Sequence, residues 1–168
     1  TAFGEARAEV ERIYLDLYQD RGFPVRICRA PTIYGPHRTL RDRLESGAYT
    51  RVDDEEQWVS RIHVDDLVSG LIAAWQRGRS GATYLLCDDE PVTEREYAAI
   101  TAELLGLPLP APLPREDIRQ ELGSGGFERR AVAGRCSNRL MHDDLGVELR
   151  YPSVREGVPA SLQEEGAI

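Results

Sequence analysis

The sequence has 168 residues, of which 41% are hydrophobic and 30% charged, and its formal net charge is −8. This composition is typical of a folded globular domain, and one domain of this length buries a sizeable core. The acidic excess argues against a nucleic-acid partner, and because all 21 basic residues are arginine, no lysine is present for Schiff-base chemistry.

The sequence also gives expectations about compartment and metals. The longest apolar stretch, 67–75, is too short to cross a bilayer, and no basic-then-apolar leader stands at the start, so neither a membrane role nor secretion is expected. Cys28, Cys87 and Cys136 are odd in number and widely spaced, which predicts reduced thiols in a cytoplasmic protein. No spacing of metal ligands is present, so no metal is expected.

The first third of the chain predicts a helix, a strand and a loop. Periodicity indicates a helix over 5–20 that ends at Gly22, with one apolar face. A strand is expected over 24–29 and a loop over 30–36, where two prolines and a glycine interrupt the pattern. The apolar face of the helix consists of Val10, Ile13, Tyr14 and Leu17.

The middle of the chain predicts two more helices and two strands. A short helix is expected over 40–44, an exposed acidic turn or hairpin over 51–57 and a strand over 58–64. Asp65 or Asp66 is expected to cap the next helix, whose apolar side consists of Leu67, Leu71, Ile72 and Trp75. A strand over 83–87 precedes a helix that begins with a capping box of Thr93 and Glu96 and stops at Gly106.

The last third alternates connectors and helices. An extended connector is expected over 107–114, a helix over 116–122 and a flexible break over 123–126. Ser137 is expected to cap a helix over 138–145 that ends at Gly146, and a short helix closes the chain. Helix–turn–strand steps of this kind predict an α/β fold with a parallel sheet.

Four segments in this order resemble the C-terminal half of an extended short-chain dehydrogenase/reductase of the nucleotide-sugar epimerase/dehydratase kind. They are Arg29-Ala30-Pro31-Thr32-Ile33-Tyr34-Gly35-Pro36, Ile62-His63-Val64-Asp65-Asp66-Leu67, Thr83-Tyr84-Leu85-Leu86-Cys87 with its continuation to Thr93, and Arg139 to Gly146 followed by Tyr151-Pro152-Ser153 and Gly157. Residues 59–61 differ from the Arg-Asp-aromatic triplet of typical members, so the resemblance is to the atypical group. It implies the last strands and helices of a Rossmann-like doubly wound sheet plus a small substrate-binding lobe, in one domain over 1–168 that lacks the Gly-rich N-terminal half.

The resemblance also implies a place for the catalytic residues. The family uses Tyr-x-x-x-Lys on a helix, where the Lys lowers the pKa of the Tyr and holds the cofactor ribose. Phe3 and Arg7 stand at those positions. Phe3 cannot exchange a proton, whereas Arg7 keeps a cation that can hold a ribose or phosphate.

Further contacts follow from the resemblance, each with a structural alternative. Pro31, Thr32 and Ile33 are expected beside the nicotinamide, unless the segment is only a proline-stiffened turn. A substrate phosphate or carboxylate is expected to meet a set of polar residues that are otherwise surface groups or a helix start: His37, Arg38, Arg61, Arg135 and Asn138. Structural roles are favoured for Tyr34, His63, Asp65 and Asp66.

The leading functional hypothesis is an NAD- or NADP-dependent oxidoreductase or epimerase-like enzyme that acts on a sugar nucleotide or a similar small molecule. The alternative is a non-catalytic binding protein that senses a dinucleotide or another ligand, which Phe3 favours. A structural fragment without a ligand site is the third possibility. A half-sheet leaves apolar surface uncovered, so we expect either the missing N-terminal half or a homo-oligomer as partner.

Overall fold

The computed structural model describes residues 2–52, 57–130 and 133–168, with side chains from residue 4 onward except at 124 and 128–130. These residues form helices and short strands. The helices are α1 (Ala2–Arg21), α2 (Arg41–Glu45), α3 (Val64–Arg77), α4 (Glu94–Leu104), α5 (Arg115–Arg130), α6 (Arg139–Leu145) and α7 (Val154–Glu164). The strands are β1 (Ile27–Arg29), β2 (Thr32–Tyr34), β3 (Arg51–Val52), β4 (Trp58–Val59), β5 (Arg61–His63), β6 (Thr83–Leu85), β7 (Val92–Thr93) and β8 (Pro112–Leu113).

Parallel pairing dominates the strands, as the α/β prediction requires. β1 pairs in parallel with β6, β2 with β5, and β3 with β8, while β4 and β7 are antiparallel. In the two central pairs Cys28 lies opposite Tyr84 and Ile33 lies opposite Ile62. Helix α3 connects β5 of one parallel pair to β6 of the other.

Two buried clusters and one small satellite hold these layers together. The first fills the space between α2, α4 and α7 around Tyr34 and Tyr97. The second lies between the strands, α3 and α6, around Ile62, Tyr84 and Met141. Val52, Ile118 and Phe127 form the satellite beneath α5. The clusters meet along the β2–β5 pair, because Ile62 and Tyr34 belong to different clusters and lie on paired strands.

Several local predictions are confirmed. Gly22 adopts a left-handed conformation (φ 67°) at the end of α1, and its amide donates to the Tyr18 carbonyl oxygen. The capping box of Thr93 and Glu96 is present at the start of α4, and Gly146 ends α6 in the left-handed region. These features are encoded within one or two turns of the chain, so they follow from sequence without knowledge of the packing.

Other predictions of secondary structure are wrong. The expected loop over 30–36 contains β2, because its backbone joins the β5 ladder despite the flanking prolines. The strand over 58–64 is broken at Ser60, whose side chain accepts from the Cys136 amide. Arg51 and Val52 are buried in β3, not exposed, and the remaining acidic residues 53–56 lie outside the described residues. The break over 123–126 is a kink at Gly123 (φ 68°) inside α5.

The N-caps of two helices also differ from the predictions. His63, not Asp65 or Asp66, caps α3, and its Nδ1 accepts from the Asp65 amide at 3.2 Å. The Asp66 carboxylate instead accepts from the amides of Arg150 and Tyr151, at 2.8 and 2.9 Å. Asn138, not Ser137, is the N-cap position of α6.

Most of the apolar side predicted for α3 is exposed, and of its four residues only Leu67 is partly buried, against the second cluster. Its buried face consists of Asp66, Gly70, Ala73 and Ala74, while Leu71, Ile72 and Trp75 are exposed. Small residues bring the helix close to the sheet: a Cβ at Gly70 would lie 3.2 Å from the Leu86 methyl groups. The apolar face of α1 is likewise exposed at Val10 and Ile13.

One close contact ties α7 to β2 and generates a prediction. A Cβ at Gly157 would lie 2.7 Å from Cε2 of Tyr34 and closer still to its hydroxyl oxygen. We expect Gly157→Ala to lower the free energy of unfolding by about 1–3 kcal/mol, because overpacking outweighs the gain in helix propensity. Urea unfolding monitored by circular dichroism measures this. In a Tyr34→Phe background the same substitution should cost less, and an equal cost in both backgrounds would contradict the proposed clash.

Candidate functional site

A groove between α1 and β1 gathers several of the residues predicted to bind the cofactor. Its volume is about 1260 Å³, and Arg7, Pro31 and Ile33 are among its lining residues. Arg7 lies on the face of α1 that turns toward β1, one and two turns before Glu11 and Tyr14, which line the same groove. Pro31 and Ile33 lie beyond the carboxyl end of β1, which is where open α/β sheets bind ligands.

The groove is mostly apolar, and charged residues line it from both α1 and the β1 segment. Its uncharged lining includes Ile27, Cys28, Leu85 and Cys136. Glu11 of α1 forms an ion pair with Arg29 of β1, and hydrogen bonding to that guanidinium lowers the pKa of the Glu11 carboxyl. Burial raises the pKa of the Cys28 thiol, so Cys28 is a neutral, weakly reactive group here.

The other predicted site residues lie in different places. Thr32 is exposed on β2 between the two groove residues. His37 and Arg38 lie on an exposed turn, where the His37 backbone (φ 60°) donates to the Glu165 carboxylate at 2.7 Å. Phe3 belongs to α1, but its side chain lies outside the described residues. The ligand roles of these residues stay predictions.

Arg61 is at odds with the predicted substrate contact, because it is only 2% exposed. Its guanidinium forms an ion pair with Glu94, donates to the Val59 carbonyl oxygen at 3.1 Å and lies 4.2 Å above the Tyr97 ring. A buried cation needs such partners, so Arg61 serves the packing of β5 against α4. The sequence reveals only a strand arginine, with no sign of this burial.

Arg135 and Asn138 lie on the segment that leads from α5 to α6. The Arg135 guanidinium lies 5.1 Å from the centre of the Trp58 ring, and the segment bonds to β4 through Gly134 and Trp58. The Asn138 amide donates to the Cys87 carbonyl oxygen at 2.9 Å and to the Asp89 carboxylate at 2.6 Å. Both amide hydrogens of Asn138 therefore hold the loop after β6.

Asp88 is a buried carboxylate at the end of this strand region that the sequence did not single out. It is 3% exposed, and neither carboxylate oxygen has a hydrogen-bond partner among the described residues. Burial raises the pKa of Asp88 to about 8, and the nearby Asp66 carboxylate adds to this, whereas the Arg61 charge partly offsets it. Asp88 is therefore largely protonated at neutral pH.

His142 faces two acceptors, one at each ring nitrogen. Nδ1 lies 2.7 Å from the Val147 carbonyl oxygen and Nε2 lies 2.7 Å from the Asp89 carboxylate. Neither acceptor can donate when Asp89 is ionised, so both bonds form fully only with the imidazolium. Partial burial lowers the pKa of His142, but these two hydrogen bonds outweigh it and the net pKa lies above its ordinary value.

In the described residues no group of three or more histidine, cysteine or acidic side chains is placed to hold a metal ion. None of the described helices is both long and apolar enough to span a membrane. All three cysteines are free thiols.

Comparison with known proteins identifies the family. The NAD dependent epimerase/dehydratase family matches residues 1–87. The 4-hydroxy-2-methyl-3-oxo-4-farnesyl-3,4-dihydroquinoline-1-oxide ketoreductase of Stigmatella aurantiaca is 26% identical over 157 residues, which are 90% of this chain and 43% of the relative. The 3-diazoavenalumate denitrifying reductase of a Streptomyces species is 28% identical over 138 residues, 79% of this chain and 45% of the relative. The chain thus spans less than half the length of these two relatives.

Solved structures agree with the fold. A conserved protein of unknown function from Silicibacter pomeroyi matches with a TM-score of 0.77 and 35% identity, over 86% of this chain and 50% of that one. A nucleoside-diphosphate-sugar epimerase from Pseudomonas aeruginosa matches all of this chain and 57% of its own, with a TM-score of 0.78 and 20% identity. The predicted resemblance and the α/β, Rossmann-like fold class are therefore confirmed.

Asp88 yields a prediction on pH and stability. Its pKa is near 4 in an unfolded chain and about 8 in the fold, so only the folded state holds the proton between these values. Stability should fall as pH rises from about 4 to 8, by up to about 1.4 kcal/mol per pH unit, and level off above 8. Asp88→Asn should remove this fall in urea unfolding at pH 5–9. An unchanged slope would mean that Asp88 is ionised inside the fold.

The raised pKa of His142 yields a second prediction on pH dependence. A raised pKa stabilises the fold below the unfolded value of about 6.5, and this stabilisation is lost as pH rises through the folded value. In an NMR titration His142 should have a pKa above 6.5, and Asp89→Asn should lower it. His63 provides an internal comparison in the same spectrum, because burial lowers its pKa. A His142 pKa that does not respond to Asp89→Asn would contradict the two-acceptor geometry.

Proposed function

Because the chain belongs to the NAD dependent epimerase/dehydratase family, we propose that it forms the C-terminal half of an NAD- or NADP-dependent oxidoreductase or isomerase that acts on a small molecule. The observation that carries this proposal is the groove of Arg7, Pro31 and Ile33 at the carboxyl end of β1. It combines a cation with an apolar floor, which suits the phosphate or ribose and the nicotinamide ring of a dinucleotide.

The groove also supports the proposal that a preceding half of the protein completes the site. Among the described strands β1 pairs only with β6, so its other edge faces the groove and is open to a further parallel strand. Helix α1 stands across this groove and contributes residues to it from Gly4 to Tyr14. A strand inserted there would cover β1 and the inner face of α1 together, and it would bring the Gly-rich phosphate loop to the same edge.

The proposal for the substrate is less specific than the proposal for the cofactor. Family membership and the epimerase-like fold favour a sugar nucleotide or a similar small molecule. The names of the two curated relatives, a ketoreductase and a reductase, extend the candidates to reducible groups on small ring compounds. Arg135 beside Trp58, and His37 and Arg38 on their turn, remain the proposed substrate contacts. The three free thiols are compatible with the proposed cytoplasmic location.

A second candidate function rests on Phe3. A phenyl ring cannot give or take the proton that accompanies hydride transfer in this family, while Arg7 keeps a positive charge on the next turn of α1. We propose non-catalytic binding of a dinucleotide as the alternative. Both candidates need the groove, and they differ only in turnover.

Cofactor binding by the protein expressed from its native reading frame tests both candidate functions. Arg7→Gln should weaken binding of NADH or NADPH by at least tenfold in a fluorescence titration, since a charge-assisted contact contributes about 1.5–3 kcal/mol. Arg12→Gln is the matched control: Arg12 lies on the exposed face of the same helix, paired with Glu9 and Asp16, and its loss should leave affinity unchanged. No binding by the native protein would overturn the proposal.

Turnover then separates the enzyme from the binding protein. Phe3→Tyr combined with Arg7→Lys restores the family's acid–base pair, and we expect it to raise cofactor turnover by about 10²–10⁴-fold if substrate is bound productively. Sugar nucleotides and cyclic ketones are the substrates to assay. If the double variant binds cofactor and remains inactive on both, the non-catalytic alternative is favoured.

A further inference from the structure

Two of the three cysteines lie together just beyond the end of β6. The Cys87 sulfur lies 3.8 Å from the backbone carbonyl oxygen of Cys136, to which its thiol donates a weak hydrogen bond. The two residues are 49 positions apart in the chain, so the fold and not the local sequence makes them neighbours. Cys28, the third cysteine, lies on β1.

Hydrogen bonds hold both cysteines in this position. The Cys136 amide donates to the Ser60 hydroxyl at 2.8 Å, and the Asn138 side chain donates to the Cys87 carbonyl oxygen at 2.9 Å. The backbone on each side of the contact is therefore fixed, and the two residues stay neighbours without a covalent link. A disulfide joins cysteines whose Cα atoms lie about 4.4–6.8 Å apart, and contact of one sulfur with the backbone of the other residue favours that range.

The two thiols differ in exposure, which sets the order in which they react. Cys136 is partly exposed and lines the groove between α1 and β1, whereas Cys87 is fully buried. Burial raises the pKa of the Cys87 thiol to about 12, and Cys136 and the carboxylates of Asp88 and Asp89 add to this. A dissolved oxidant therefore reaches Cys136 first, and the buried thiol then reacts with the oxidised sulfur beside it. The disulfide product is uncharged, which suits a buried position.

We propose that Cys87 and Cys136 form a reversible disulfide when the protein meets a hydroperoxide. The peroxide transfers one oxygen atom to the Cys136 sulfur, which becomes a sulfenic acid, and leaves as an alcohol or as water. The Cys87 sulfur then attacks the Cys136 sulfur: the S–S bond forms, the S–O bond breaks, and the hydroxyl group leaves as water with the Cys87 proton. Two electrons pass from the thiols to the peroxide, and a dithiol reductant returns them.

The disulfide would join the two ends of a long segment. The chain between Cys87 and Cys136 includes β7, α4, β8 and α5. A covalent link between its ends would restrict the unfolded chain and so stabilise the folded form. It would also fix Arg135, which directly precedes Cys136, beside the end of β6. The inference rests on the contact of the two cysteines and needs neither cofactor nor turnover, so its failure would leave the proposed function untouched.

Peptide mapping of the protein expressed from its native reading frame tests the pairing. The protein is oxidised with hydrogen peroxide, its remaining thiols are alkylated, and it is digested with trypsin. Cleavage after arginine leaves the three cysteines in separate peptides, 27–29, 80–95 and 136–139. We expect peptide 80–95 linked to peptide 136–139, with two hydrogen atoms fewer than the two peptides together, and an alkylated peptide 27–29. Dithiothreitol added before alkylation should release the link.

Cys28→Ser is the matched control variant. Cys28 is also a partly exposed thiol that lines the groove, and its loss should leave the link intact. Cys136→Ser should abolish the link. Oxidation should raise the apparent unfolding temperature of the unsubstituted protein by several degrees and leave that of Cys136→Ser unchanged. Circular dichroism confirms that each variant is folded.

Two outcomes would overturn the proposal. The first is an oxidised protein in which Cys136 has become a sulfinic or sulfonic acid while Cys87 is still a thiol, since the two sulfurs would then not meet. The second is a Cys136 thiol that neither peroxide nor maleimide modifies in the folded protein, since another part of the protein would then cover it.

Discussion

The buried His63 ring is the contact on which most of the structure depends. Nδ1 accepts from the Asp65 amide, and Nε2 lies 3.2 Å from the Ser161 hydroxyl, which itself donates to the Gly157 carbonyl oxygen. Only the neutral tautomer with its proton on Nε2 satisfies both bonds. Burial lowers the pKa of His63, opposed by Asp65 and Asp66, and so maintains this neutral form. The uncharged His63 ring thus caps the start of α3, lies at the end of β5 and bonds to α7 through Ser161.

This junction explains why the carboxylates near it are structural. Tyr34 lies opposite His63 in the β2–β5 register, and the Tyr151 ring lies 4.1 Å from the His63 ring. Asp66 holds the backbone at Tyr151 and so closes the turn over the histidine. Asp65 and Asp66 therefore connect α3 to the segment that precedes α7, and the groove of Arg7 lies on α1 and β1 instead.

Features that act within one turn of the chain follow from the sequence, whereas features that depend on distant partners do not. Thr93 with Glu96, Gly22 and Gly146 act within one turn of the chain, and their helix ends are predicted correctly. The His63 cap was missed because histidine is an uncommon N-cap, and the aspartates that follow it are common ones. The burial of Arg61 depends on Glu94 and Tyr97, which are far along the chain. No pattern within a strand reveals a partner at that distance.

The exposed apolar faces of α1 and α3 show a further limit of periodicity. A hydrophobic stripe indicates a face that another element can cover, but it does not show whether this chain provides the cover. In α3 the side that packs internally is the side of Gly70, Ala73 and Ala74, because close approach to Leu86 requires small residues. The larger side chains are left outside by the same geometry. By the family resemblance, proton exchange needs a hydroxyl at position 3, which Phe3 lacks, whereas Arg7 and the groove can still contribute to holding a dinucleotide in the proposed complete site. The retained Arg7 and the groove between α1 and β1 therefore favour cofactor binding more strongly than turnover.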